Sequence, residues 1–173
     1  STEHPTLSQD GKTLYFASDM PGSLGSFDLY KVTVNEDGTF GEPVNLGSNV
    51  NTPNREQFPY IANDGTLYFA SDGRVGFGNL DIFKAEAQGG SFSEAQNLGN
   101  TLNSEFDDFA YVMKEGEDKG YLASNRRGSD NLYAFSREEY TPPVLPKEEM
   151  EINPETGRRQ IAGVGNIYFD FDK

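Results

Sequence analysis

Cysteine is absent from the 173 residues, so the chain has no disulfides and no thiolate chemistry, and its redox compartment is left undetermined. His4 is the only histidine, which excludes multi-histidine metal sites and a histidine base repeated along the chain. No apolar run approaches the ~18 residues of a membrane-spanning helix. The chain shows neither a signal peptide nor a lipid-attachment cysteine. No window holds a sustained 3.6-residue apolar period, so helix is a minor component. Positive charge is scarce: 14 Lys plus Arg stand against 28 Asp plus Glu, a net charge of −14. A surface of that sign repels phosphate backbones and anionic headgroups, which argues against a nucleic-acid partner. It suits an acidic solvated surface, with a basic partner or a bound cation as the sharper alternative. Hydrophobic residues make up only 35% of the chain, too few for one thick core but enough for thin sheets stacked face to face.

What is abundant is strand and turn chemistry: 13 Phe, 9 Tyr and 19 Gly. The stretch Asp64 to Phe83 sets the pattern. An Asp-Gly turn leads into Thr66-Leu67-Tyr68-Phe69-Ala70-Ser71. A corner containing Gly73, Gly76 and Gly78 follows, and then Leu80-Asp81-Ile82-Phe83. This order predicts a β-hairpin with Leu67–Ser71 antiparallel to Leu80–Ala85. The stretch occurs upstream as Asp10 to Asp19 with Phe27-Asp28-Leu29-Tyr30, and downstream as Gly120 to Asn125 with Asp130-Asn131-Leu132-Tyr133. Tyr15, Tyr68 and Tyr121 recur at intervals of 53 residues, and a fixed period of that size means a repeat architecture.

Within repeat one the expected strands are His4–Ser8, Leu14–Ser18, Asp28–Val34 and Pro43–Gly47. In repeat two they are Phe58–Ala62, Leu67–Ser71, Leu80–Ala85 and Ala95–Gly99. Repeat three has Phe109–Met113, Tyr121–Ser124 and Leu132–Phe135, and no fourth strand of the Asn-Leu-Gly type. Four short meandering strands per ~50 residues predict an all-β fold of β-propeller blades, each needing a neighbour to cover its apolar faces. Both members of the pair Tyr68–Phe69 are therefore expected to be buried.

The run Pro-x-x-Ser-x-Asp-Gly-Lys-x-Leu-Tyr-Phe-Ala-Ser-Asp at Pro5 to Asp19 resembles the PD40 (WD40-like, TolB-type) propeller repeat. Asp28-Leu29-Tyr30 and Asp81-Ile82-Phe83 match its Asp-Ile-Tyr step. The resemblance covers about residues 4–135 in three copies, which sets a repeat domain at 1–136 with blades at about 4–50, 57–102 and 108–136. The third copy departs, with Asn125 and Asn131 in place of Asp. Residues 137–165 are rich in proline and charge, as in Tyr140-Thr141-Pro142-Pro143-Val144-Leu145-Pro146, and are expected to be a linker with a turn at Pro154-Glu155-Thr156-Gly157. The last residues, 166–173, alternate as Asn166-Ile167-Tyr168-Phe169-Asp170-Phe171-Asp172-Lys173 and resemble the opening strand of the OmpA-like peptidoglycan-binding domain, truncated before its ligand-binding residues.

The combination implies a non-enzymatic scaffold or adaptor in the periplasm of a Gram-negative envelope, associated with the outer membrane. Its propeller would dock an envelope protein complex, and the missing downstream domain would hold peptidoglycan. Proteins of this architecture include type IX secretion components. The alternative is a propeller that captures a peptide or glycan in its central channel; aromatics facing the channel would favour it. A chain that opens directly in repeat material is expected to be a fragment, with an export signal and one or more further blades upstream and no closed ring of its own.

No catalytic, cofactor-binding or metal-ligating set emerges. Gly-x-Ser-x-Gly does not occur, and Gly76-x-Gly78 lacks the third glycine of a nucleotide fingerprint. Asn35-Glu36-Asp37-Gly38 lacks the spaced ligands of a calcium loop and reads as a hairpin turn. The repeated Asp19, Asp72 and Asn125, and the set Asp28, Asp81 and Asn131, suit residues that accept backbone N–H bonds and hold corners; the alternative is a ring of carboxylates around a cation. Arg74, Phe77, Arg126 and Arg127 decorate corresponding corners of repeats two and three. They are the candidate partner contacts, because loops on rigid scaffolds carry binding.

Overall fold

In a computed structural model, residues 1–114, 116–137, 150–152 and 159–161 are described. Fifteen strands and no helix occur among them. The first four, β1 (Thr2–Leu7), β2 (Thr13–Ser18), β3 (Asp28–Thr33) and β4 (Val44–Asn45), form one antiparallel meander in sequence order. The second sheet comprises β5 (Glu56–Ile61), β6 (Leu67–Ser71), β7 (Asp81–Ala85) and β10 (Gln96–Asn97). A small hairpin, β8 (Ala87–Gln88) with β9 (Ser91–Phe92), is inserted before its last strand. The third sheet has three strands, β11 (Asp108–Met113), β12 (Lys119–Ser124) and β13 (Asn131–Ser136). The expected pairing of Leu67–Ser71 with the next strand is present, running from Leu67↔Ala85 to Ser71↔Asp81.

The chain divides into two units, Ser1–Glu138 and Glu139–Lys173. In the second unit β14 (Met150–Ile152) pairs antiparallel with β15 (Arg159–Ile161), within the span expected to be a linker. The expected turn at Pro154 to Gly157 and the OmpA-like strand at 166–173 lie outside the described residues.

Stacking of the three blades follows from strand alternation. On β2, Tyr15 and Ala17 face one way and Leu14 and Phe16 the other. Ala17 and Leu29 of blade one pack with Leu67, Phe69 and Phe83 of blade two, with Tyr15 and Phe92 at the margin. The opposite face of blade two, Tyr68 and Ile82, packs on Tyr111 and Leu122 of blade three. Tyr68 and Phe69 are accordingly both buried. Blades one and two thus each present the Tyr-type face to the blade after, and blades two and three each receive the blade before on the Phe-type face.

The first strands β1, β5 and β11 come together along one edge of the stack. Each carries a β-bulge whose central residue is non-glycine with positive φ: His4 at 54°, Phe58 at 52° and Ala110 at 52°. Non-glycine residues in this left-handed region are uncommon, and three in register mark one structural device repeated per blade. His4 stacks on Phe58 with centroids 3.7 Å apart, and Phe58 lies 4.9 Å from Phe109.

Candidate partner-docking face

Because each blade is a meander, its β2–β3-type corners and the loops that enter the next blade share one end of the stack. The Asp10-Gly11 and Asp37-Gly38 turns lie at the other end. The corner end is built by a polar network copied from blade one to blade two. Asp28 accepts from the Leu24 and Gly25 amides at 2.7 and 2.9 Å. Asp81 accepts from Phe77 and Gly78 at 2.5 and 3.2 Å. Each carboxylate also accepts from an asparagine of the Asn-Leu-Gly step, Asn45 at 2.6 Å and Asn97 at 3.1 Å. Those asparagines accept in turn from Asn51 at 2.8 Å and Asn103 at 2.9 Å. All of this is buried or half-buried, and buried polar groups hold a fold together only when their bonds are made.

The corners then contact the following blade. Ser26 N–H donates to Asn54 C=O at 2.8 Å, and Glu56 N–H donates to Phe27 C=O at 2.8 Å. Asp108 N–H donates to Leu80 C=O at 2.7 Å. A Cβ at Gly25 would sit 2.2 Å from the Asn54 carbonyl oxygen, and one at Gly78 would sit 2.0 Å from that of Phe106. Only glycine permits these approaches.

Asp28 and Asp81 hold the corners as expected. Asn131 differs: its amide donates to the Ser129 carbonyl at 2.7 Å in a shorter, exposed corner. Asp72 and Asn125 serve a different purpose from corner-holding. They accept from the Arg55 and Asp107 amides, both at 2.9 Å, and so lock the entry to their blade's first strand. The amides just after them go instead to serine hydroxyls, Gly73 to Ser71 and Arg126 to Ser124. Asp19 pairs with the Ser1 amino group. Among the described residues no cluster of three or more His, Asp or Glu is placed to hold a metal ion.

Two buried acids were invisible in the sequence. Glu56 accepts from the Thr52 amide, the Thr52 hydroxyl and the Ser71 hydroxyl at 2.7–2.8 Å. Burial pushes its carboxyl above the ordinary range, against those three bonds, and the Asp28 charge adds to the rise. Asp108 occupies the same position in blade three and forms an ion pair with Arg126. The signal was the step Asn-Thr/Ser followed four residues later by an acid, whose role only the tertiary contacts define.

Of the four candidate contacts, Arg74 donates to the carbonyls of Ser48, Asn49 and Val50, and Arg126 to Asp108, the Ser124 hydroxyl and the Leu102 carbonyl. Both guanidinium groups bind their own scaffold. Phe77 and Arg127 are exposed. Three further exposed apolar side chains were passed over in sequence reading: Val75, two residues before Phe77 and 96% exposed, Leu24 in the equivalent corner of blade one, and Phe106 in the loop entering blade three. Gly78 against Phe106 brings the blade-two corner and the loop entering blade three together. The corner end thus joins hydrogen-bonded backbone and carboxylates to loops that carry exposed apolar side chains.

No family model and no curated protein matches the chain. Among solved structures it is similar to an endo-arabinase from Bacteroides thetaiotaomicron, at 14% identity and TM-score 0.50, over 79% of this chain and 56% of that one. It is also similar to puromycin hydrolase, at 17% identity and TM-score 0.41, over 92% of this chain and 32% of that one. The chain therefore spans about half or less of these proteins, and the likeness to the endo-arabinase is one of β-rich propeller-like fold.

Proposed function

We propose that the chain is a non-enzymatic scaffold or adaptor of a Gram-negative envelope that docks a protein partner through its corner end. The carrying observation is that Leu24, Val75, Phe77 and Phe106 are exposed apolar side chains on the loops of the corner end, which also carry the exposed Arg127. Large apolar side chains gathered on the loops of one end of a scaffold suit an interaction site. The resemblance of the repeats to PD40 and of residues 166–173 to the opening of an OmpA-like domain supports a periplasmic scaffold, tethered to peptidoglycan through a downstream domain and serving an outer-membrane assembly such as a type IX secretion complex. A photo-crosslinker at Val75 is expected to give a discrete adduct in envelope extracts, lost on Phe77→Asp. The same probe at Asp37, at the opposite end, gives none. Equal labelling from both ends would overturn the assignment.

A second reading, capture of a peptide or glycan, is favoured by the rings of His4, Phe58 and Phe109 on the converging first strands, beside a cavity of about 180 Å³. Stacking surfaces suit sugar rings and aromatic or proline side chains. Quenching or titration calorimetry with oligosaccharides and proline-rich peptides, compared between the wild type and Phe58→Ala, separates it from the first.

A further inference from the structure

The two end faces of the stack are open versions of interfaces that are closed inside it. Phe40 and Phe92 occupy the same position in blades one and two. Phe92 is 4% exposed against the Tyr15 face of blade one, whereas Phe40 is 61% exposed. Phe40 borders an apolar groove of about 370 Å³ with Leu14, Phe16, Met20, Val32 and Pro43. At the other end, Leu132 corresponds to Leu29 and Ile82. Those two are fully buried by the following blade, and Leu132 is 81% exposed. Its neighbour Tyr121 is likewise exposed where Tyr68 is buried.

We propose that the Tyr121–Leu132 face of blade three binds the Leu14–Phe16–Phe40 face of blade one on a second copy of this chain, head to tail. The occupant is set by continuity, because the chain already contains this interface twice, Tyr-type face against Phe-type face. The backbone supports the same register. Phe27 C=O receives Glu56 N–H, and Leu80 C=O receives Asp108 N–H. The corresponding groups across the junction are Asp130 C=O and Thr2 N–H. Thr2 pairs with Ser18 as Glu56 does with Ser71 and Asp108 with Ser124. Such a contact is heterologous and closes into a ring where the rotation permits. The −14 charge on each copy opposes the approach, so added salt strengthens the association.

Sedimentation velocity on the whole chain over a concentration and salt series tests this. The wild type is expected to associate, more at higher salt. Leu132→Asp and Phe40→Asp alone are each expected to lose the association, with unchanged melting because both side chains are exposed. An equimolar mixture of the two variants restores a complex, since one keeps the blade-one face and the other the blade-three face. A wild type that stays monomeric at every concentration overturns the proposal. Association that survives both substitutions, or a mixture that stays monomeric, also overturns it.

Discussion

Asn51 lies 22 residues from Leu29, yet its side-chain amide accepts from the Leu29 N–H at 2.8 Å and donates to the Leu29 C=O at 3.0 Å. The amide takes the place of a neighbouring strand. Asn103 does the same for Ile82, at 2.8 and 2.9 Å. A buried strand end is thus satisfied without a further strand, and the loop to the next blade is pinned in the process.

Asn51→Leu keeps the volume but orphans the Leu29 N–H, while the Leu29 C=O keeps its bond from the Leu46 N–H at 3.0 Å. An orphaned buried group costs about 1–3 kcal/mol. Urea melts are expected to show a loss of at least about 1 kcal/mol. A loss below about 0.5 kcal/mol, the level of ordinary surface substitutions, would show that water replaces the amide.

Phe69 is fully buried between blades one and two. Phe69→Ala is expected to cost about 3–5 kcal/mol through cavity formation. Tyr121→Ala, at the exposed position of the same strand in blade three, should stay within about 1 kcal/mol in the monomer. Equal losses would contradict the stacking order.

Arg126→Ala leaves Asp108 buried without its counter-ion and should cost about 3 kcal/mol, the low end for a broken buried pair because the arginine is partly exposed. Arg127→Ala should leave stability within about 0.5 kcal/mol and change only partner binding. Chemical denaturation of both variants gives the comparison directly.

Burial raises the Glu56 carboxyl above its ordinary value of 4.5, so the native state holds this proton more tightly than the unfolded chain. Its contribution to stability is complete below 4.5 and is lost as pH rises through the raised native value. The Asp10, Asp37 and Asp64 carboxyls, lowered by hydrogen bonds, act in the opposite sense and below 3.8. The stability difference between Glu56→Gln and the wild type, followed from pH 4 to 8, is expected to shift in favour of the variant as pH rises. A flat difference would place Glu56 in an ordinary environment.

Hydrolysis of peptide, glycan or phosphoester substrates by the purified chain is expected to be absent. His4 stacks on Phe58, and burial lowers its pKa despite Glu3 at 4.0 Å. Turnover that disappears on changing a single Asp, Ser or His4 would refute the non-enzymatic reading.

The blade strands, the Asp-Gly turns and the 53-residue period were legible in the chain, because alternation and turn chemistry act over a few residues and are written in residue type; the short hairpins β8–β9 and β14–β15 were not. Leu67–Ser71 against the following strand needed nothing more. The corner carboxylates Asp28 and Asp81 could also be read, since they bond amides three and four residues away. Burial could not be read in the same way. Tyr68 and Tyr121 share a repeat position, as do Ile82 and Leu132 and as do Phe92 and Phe40, yet one of each pair is covered and the other is in water. The local sequence sets which face a side chain takes, and only the presence of a packed blade decides whether that face is dry. The same holds for Glu56 and Asp108, which read as surface acids and become buried acceptors. Their partners, Ser71 and Arg126, come from a different strand end and meet them only once the sheet has formed.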